Sequence, residues 1–266
     1  TGLYYLINTV LTALLFVLLL ILISTGVLDG YWTGIVVLVC INVILAVSLN
    51  LVTGILGQLV LGHAGFMLVG AYAAANFTKA VVNNGNMSLQ MALPIAMLLG
   101  GAVAAVFGVV IGIPALRLRG DYLAIATLGF SEIIRIVITN AQSLTNGAQG
   151  LKSIPATANI WWCYGVALAT IVFIALLISS SYGRAFKAIR EDEIAAESMG
   201  VSLLRHKMLS FMLSAFLAAV GGGLFASYIG TIGPDVFQVS RTYDILMIVV
   251  MGGMGSISGS VLAAFI

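Results

Sequence analysis

The sequence predicts an all-α protein, a polytopic transmembrane helix bundle of about eight spans with Gly-interrupted helices and one short helix lying outside the membrane core. Three observations carry this expectation. Apolar residues make up 61% of the chain and charged residues only 8%, against about 25% charged in a soluble globular domain; mean hydropathy is +1.17. Apolar runs near the roughly 20 residues that cross a hydrocarbon core recur from one end of the chain to the other. Seven of the twenty Lys, Arg, Asp and Glu residues are gathered in one stretch, 183–200.

In chain order the candidate spans are 4–23, 35–52, 55–75, 91–113, 122–138, 161–180, 208–229 and 243–266. The chain begins at Thr1 and stops within the last of these runs, and is expected to be trimmed at both ends. Thirty glycines against four prolines suit helices that approach closely through small residues. Alternating the spans places 114–121 and 183–207 on one side. That side collects Arg117, Arg119, Arg184, Lys187, Arg190, Arg205 and Lys207, against Lys79, Lys152 and Arg241 opposite, with Arg135 left inside a span. The asymmetry makes the richer side cytoplasmic. Residues 83–86 and 145–154 read as polar turns on the other side.

The stretch 183–200, GRAFKAIREDEIAAESMG, reads as an amphipathic helix. At 100° per residue Ala185, Ala188, Ile189, Ala195, Ala196 and Met199 share one face, and Lys187, Arg190, Glu193 and Glu197 the other. Asp192 intrudes on the apolar face, while Phe186 and Ile194 leave it and are expected to project from the polar side. Pairs such as Arg190 with Glu193 and Lys187 with Glu191 each add only about 0.2–0.5 kcal/mol. Gly200 is a natural stop, since glycine takes the left-handed conformation that closes a helix. Such an element either joins two spans at the interface or docks a soluble partner.

Two apolar runs carry glycines where a plain span would not. Residues 53–70 read TGILGQLVLGHAGFMLVG and 252–259 read GGMGSISG. Backbone freed by a broken helix cannot face lipid and is tolerated only where protein or a water-filled cavity satisfies it. Paired breaks, one in each half of a chain, mark a transporter's pathway; close packing through small residues is the alternative. The candidate path residues are Gly57, Gln58, Gly62, His63, Gly65, Thr127, Glu132, Gly252, Gly253 and Gly255. Glu132 and Arg135, three apart in one span, share a helix face and partly neutralise one another, as an internal ion pair or a substrate contact. His63 has no acid or second histidine beside it, which favours a hydrogen-bonded structural imidazole over a proton relay. Asn42, Ser48, Asn50 and Thr127 are either glue between helices or path lining.

No G-x-x-x-x-G-K-[ST], G-x-S-x-G, H-E-x-x-H or paired Cys-x-x-Cys occurs. Cys40 and Cys163 have no partner spacing, and the basic residues form no nucleic-acid patch. The expectation is a protein that is not itself an enzyme, holds no cofactor or metal, and binds no nucleic acid.

The segments GQLVLGHAGFMLVGAYAAA (57–75), LRLRGDYLAIATLGFSEIIRI (116–136), SYGRAFKAIREDEIAAESMGV (181–201) and MGGMGSISGSVLAA (251–264) together resemble the LivM-like permease subunits of branched-chain amino acid ABC transporters, over nearly the whole chain. The resemblance implies one permease transmembrane domain over 1–266, with 183–200 as its coupling helix. Glu193, Ala195, Ala196 and Gly200 match the E-x-A-A-x-x-x-G loop that engages the ATPases, and Arg184, Phe186 and Ile194 join them as the surface offered. The fuller pattern continues into I-x-L-P, whereas Leu203, Leu204 and Arg205 follow here without a proline. Implied partners are a second related permease, forming a heterodimer, two ATP-binding cassette subunits, a periplasmic binding protein and membrane lipid, in a bacterial or archaeal inner membrane. A urea, amide or sugar permease of the same superfamily, an energy-independent channel, and a structural subunit without a pathway are the competing expectations.

Overall fold

The computed structural model describes residues 30–83, 89–118 and 120–266 together with Val10 and Val17. The span expected at 4–23, most of the turn expected at 83–86, and Arg119 lie outside the described residues. Every regular element among the described residues is helical, with one isolated antiparallel bridge joining Leu151 to Ile232.

Helix α1, Gly30–Asn50, runs directly into a π-helical turn, Leu51–Ile55. Then come α2, His63–Asn83; α3, Leu89–Ala115; α4, Asp121–Asn140; and α5, Ile160–Ser179. Two short amphipathic helices follow, α6, Ser181–Glu191, and α7, Glu193–Ser198. The chain continues through α8, Leu203–Ile229, and two half-length helices, α9, Val239–Met251, and α10, Ile257–Ala263.

Among the described residues, six segments are long and apolar enough to cross a membrane: Gly30–Ile55, His63–Val82, Met91–Ala115, Asp121–Asn140, Ile160–Ser179 and Leu203–Ile229. Two expected spans are corrected. The one expected at 55–75 begins at His63, because the helix before it continues to Ile55 and Leu56–Gly62 is irregular. There Gly57 has φ +80°, a left-handed value that no continuing helix accommodates. The one expected at 243–266 is not a continuous helix: Gly253 and Gly255, with φ of +87° and +88°, divide it into α9 and α10.

The core is built on α1, α2, α3 and α8. Buried residues fill 72% of the most apolar window in α1 and in α8 but only 28% in α4, so α4 lies at the margin of the bundle. Small residues set the spacing, as in membrane helix pairs generally, where close van der Waals approach replaces a hydrophobic drive. A Cβ added to Gly222 of α8 would fall 2.1 Å from the Met67 carbonyl oxygen of α2, and one on Gly70 would fall 2.3 Å from the Ala219 Cα of α8. Register between α1 and α8 is fixed by Ser214, whose hydroxyl donates to the Ser48 carbonyl at 2.8 Å. Chain direction puts α6, α7 and the Gly252–Gly255 turn at one end of the bundle and the Leu151–Ile232 bridge at the other.

Candidate functional site

The site grows from the short reversal after α5. Gly183 sits against Ile178 so closely that a Cβ would lie 2.1 Å from the Ile178 carbonyl oxygen, which folds α6 back beneath the bundle. Phe186 and Ile189, three apart, are 0% and 2% exposed. The expectation that Phe186 projects outward is therefore corrected: its ring is buried and meets the His206 imidazole edge-on, 6.3 Å between centroids. The reason lies in side-chain size. A wheel centred on alanines picks the face with many small residues, but burying one aromatic removes far more apolar area than burying Ala185 or Ala188.

The single helix expected over 183–200 is likewise two. Asp192, extended at φ −156°, ends α6 and caps α7; its Oδ1 accepts from the backbone N–H of Ile194 at 2.8 Å and of Ala195 at 3.1 Å. The residue that disturbed the amphipathic pattern is thus an N-cap. Gly200, φ +86°, closes α7 as expected: its N–H donates to the Glu197 carbonyl and that of Val201 to the Ala196 carbonyl, at 2.9 and 3.0 Å. That pair of bonds is a Schellman motif.

Glu193 is tied inward. Its Oε1 accepts from Lys207 Nζ at 2.6 Å, and the lysine side chain is 5% exposed. Lys207, counted among the cations of the side expected to be cytoplasmic, lies buried at the foot of α8 beneath α7. Ala196 is buried, while Arg184 and Ala195 are exposed, and Ile194 and Met199 stand 72% and 84% exposed. The outer surface of α6 and α7 therefore carries charges around two bare apolar side chains.

Arg190 links this element to both helix breaks. Its Nη1 donates to the Gly54 carbonyl at 2.9 Å, at the end of the α1 ladder, where carbonyls lack helical partners. A Cβ on Gly57 would meet Arg190 Cγ at 2.9 Å, and one on Gly255 would meet Arg190 Nη1 at 3.0 Å. The breaks also touch each other. Asn50 Nδ2 donates to the Ser256 carbonyl at 3.0 Å and to Ser260 Oγ at 3.1 Å, while its Oδ1 accepts from the Gly255 N–H at 2.8 Å. Gly252 packs on Gly259, where a Cβ would lie 2.5 Å from the backbone carbon, and Gly253 is exposed.

The remaining candidates form a second cluster. Thr127 Oγ1 accepts from the Leu61 N–H at 3.0 Å, and Cβ atoms on Gly62 and Gly65 would meet Thr127 and Ser131 of α4 within 2.6 and 2.8 Å. His63, 1% exposed, places Nε2 3.1 Å from Ser48 Oγ; since that hydroxyl donates to the Leu45 carbonyl, the imidazole donates to it. Gln58 is 8% exposed, and its Oε1 makes no hydrogen bond among the described residues. Glu132 joins neither cluster. It receives Arg135 Nε at 3.0 Å and a further contact from Nη2, on a partly exposed face of α4.

Sequence reading missed Arg190, Lys207 and Ser256 as connectors and left Asn50 between two roles. An i,i+4 pattern shows which residues share a helix face, but not that a guanidinium spans 136 positions to a glycine carbonyl. Arg241, expected in an outer loop, belongs to the first turns of α9, where Nη2 donates to Asn42 Oδ1 at 2.9 Å.

These features define a multi-pass, all-helical membrane protein whose paired helix breaks are pinned to an amphipathic helix pair at one end. The chain belongs to the family described as the branched-chain amino acid transport system permease component, which matches residues 31–266. The high-affinity branched-chain amino acid transport system permease protein LivM of Escherichia coli K12 is 38% identical over 74% of this chain and 54% of its own length. LivM of Salmonella typhimurium is 37% identical over 73% of this chain and 53% of its own. The autoinducer 2 import system permease protein LsrC of Klebsiella pneumoniae is 28% identical over 62% of this chain and 50% of its own. The chain thus spans about half the length of the curated relatives it matches.

Proposed function

We propose that this chain is the membrane-spanning permease subunit of an ATP-driven importer of branched-chain, hydrophobic amino acids. In this reading a periplasmic binding protein delivers the amino acid to a mouth shared with a second, related permease. Two ATP-binding cassette subunits engage α6 and α7 on the cytoplasmic side of the inner membrane, through the exposed Arg184, Ile194, Ala195 and Gly200, while Glu193 and Ala196 seat α7 against the bundle. The observation that carries it is the Arg190 contact: a helix with a charged outer face is bonded to the first helix break and packed against the second. Phe186, Ile189 and Lys207 fix α6 and α7 to the bundle, so a displacement of the docked ATPases reaches Gly54 and Gly255 as a rigid push. Glycine-lined backbone near Gly57–Gly65 and Gly252–Gly255 supplies polar groups along the route.

Higher identity to the LivM proteins of Escherichia coli and Salmonella typhimurium, 38% and 37%, than to LsrC of Klebsiella pneumoniae, 28%, favours amino acids over other cargo within the superfamily. The deciding experiment reconstitutes the full-length subunit with its neighbouring permease, ATPases and binding protein in proteoliposomes. ATP-dependent accumulation of leucine is expected, with none without ATP. Flux without ATP identifies a channel, and uptake of urea or a sugar in place of leucine refutes the substrate class.

A further inference from the structure

Toward the opposite end of the bundle from α6 and α7, a cavity of about 380 Å³ lies between α1, the last turns of α8 and the start of α9. Its depth follows from the Ser214–Ser48 bond between α8 and α1. Phe225 and Asn42 lie eleven and six residues beyond that bond toward the far end, roughly 16 and 9 Å at the helical rise. The volume falls in the range of pockets for single small molecules, roughly 300–1,000 Å³.

One wall is apolar, made by Phe225, Ile229 and Val236; the other carries Asn42, Arg241 and Asp244. Arg241 is held in place on two sides, by the bond to Asn42 Oδ1 at 2.9 Å and by the Phe225 ring, 6.0 Å from its guanidinium carbon. Its Nε is buried and makes no hydrogen bond among the described residues. Nε therefore lies out of the cavity's reach, and Arg241 meets the cavity through the Nη end of its guanidinium, whose planar geometry matches a carboxylate better than any other common acceptor. Asp244 follows at i+3, one helical turn away and exposed. Residues three apart hold their Cβ atoms about 5–6 Å from each other, so a carboxylate and an ammonium on one carbon atom reach both.

We propose that this cavity binds one apolar α-amino acid as its zwitterion, with the carboxylate on Arg241, the ammonium on Asp244 and the side chain against Phe225, Ile229 and Val236. The two ionised groups line a cavity whose other wall is apolar, and a zwitterion brings the complement of each. A sugar or urea brings neither charge, so the site selects amino acids independently of the binding protein. This assignment rests on the permease reading and sharpens its substrate class.

The test uses the complete transporter, full-length permease included, in proteoliposomes with leucine as the probe. Arg241→Gln and Asp244→Asn are each expected to lower leucine uptake roughly tenfold or more, the loss for removing a charged hydrogen-bonding partner, while binding-protein-stimulated ATP hydrolysis stays within about twofold of wild type. Val236→Trp, which fills the apolar wall and leaves both charges in place, is expected to do the same. Because Arg241→Gln also breaks the Asn42 bond, a diazirine analogue of leucine provides a second readout on the wild-type protein, where it is expected to label the 225–244 region. Wild-type uptake in both Asp244→Asn and Val236→Trp, or labelling confined to other segments, overturns the site. A wild-type transporter that hydrolyses ATP but moves no leucine refutes the amino acid importer reading instead.

Discussion

Arg190 concentrates the mechanical argument in one side chain. Replacing it with alanine removes the Gly54 bond and the filler between Gly57 and Gly255. Arg190→Ala is expected to insert normally and to hydrolyse ATP, yet to carry leucine about tenfold more slowly, roughly the value of a charged hydrogen bond; Arg190→Lys, with one compact donor group, should recover part. Uptake at the wild-type rate in Arg190→Ala would remove the guanidinium from the transmission path. Lys207 makes a second, separable prediction. Glu193→Ala leaves a nearly buried ammonium without its carboxylate and is expected to lower stability by about 1–3 kcal/mol, seen as an earlier thermal transition in detergent. Pairing it with Lys207→Met should restore much of the loss, because the unpaired charge goes with it. The E-x-A-A-x-x-x-G residues were legible in the sequence, but the direction in which Glu193 turns was not, since its partner lies fourteen positions on in another helix.

At the scale of elements, α7 depends on its ends. A six-residue helix has too few internal hydrogen bonds to persist alone, so the Asp192 cap and the Gly200 turn hold it. Asp192→Ala is expected to cost about 1 kcal/mol and to loosen Ile194 and Met199, measured as faster amide exchange over 193–199. The α2–α8 pair behaves differently. Gly222→Leu drives a side chain into the Met67 carbonyl and is expected to destabilise the bundle by about 1–3 kcal/mol or more through overpacking, read as loss of monodisperse protein on size exclusion. Of the six membrane-length segments among the described residues, three were legible from apolar run length to within two residues at each end, and two more were found but start five residues earlier than expected, at Gly30 and Leu203. The start of the next segment at His63 was not, because Leu56, Leu59 and Val60 are as apolar as any helix; the glycines of 53–70 signalled a break, and the Gly57 backbone shows where it falls. The division of α9 from α10 was signalled by GGMGSISG, although the expected span ran through it.

For the whole molecule, the testable statement is sidedness. Met199 is 84% exposed at the tip of α7, and Cys40 and Cys163 are buried. In a Met199→Cys protein, a membrane-impermeant maleimide is expected to label inverted vesicles and spare right-side-out ones. Labelling from the outside would reverse the topology and with it the ATPase-docking role. The helical class and the amphipathic element were legible in the sequence because composition and charge clustering are local properties. The meeting of residues 50–57 with 252–260 was not, because it joins positions some two hundred apart. Their meeting also restricts how the protein moves. With one guanidinium holding the Gly54 carbonyl and crowding Gly255, neither interrupted segment is free to shift by more than about the slack of a hydrogen bond, a few tenths of an ångström, unless the other follows or the bond is surrendered. Rearrangement at that end is consequently concerted, a single step shared by the segments around Gly54 and Gly255.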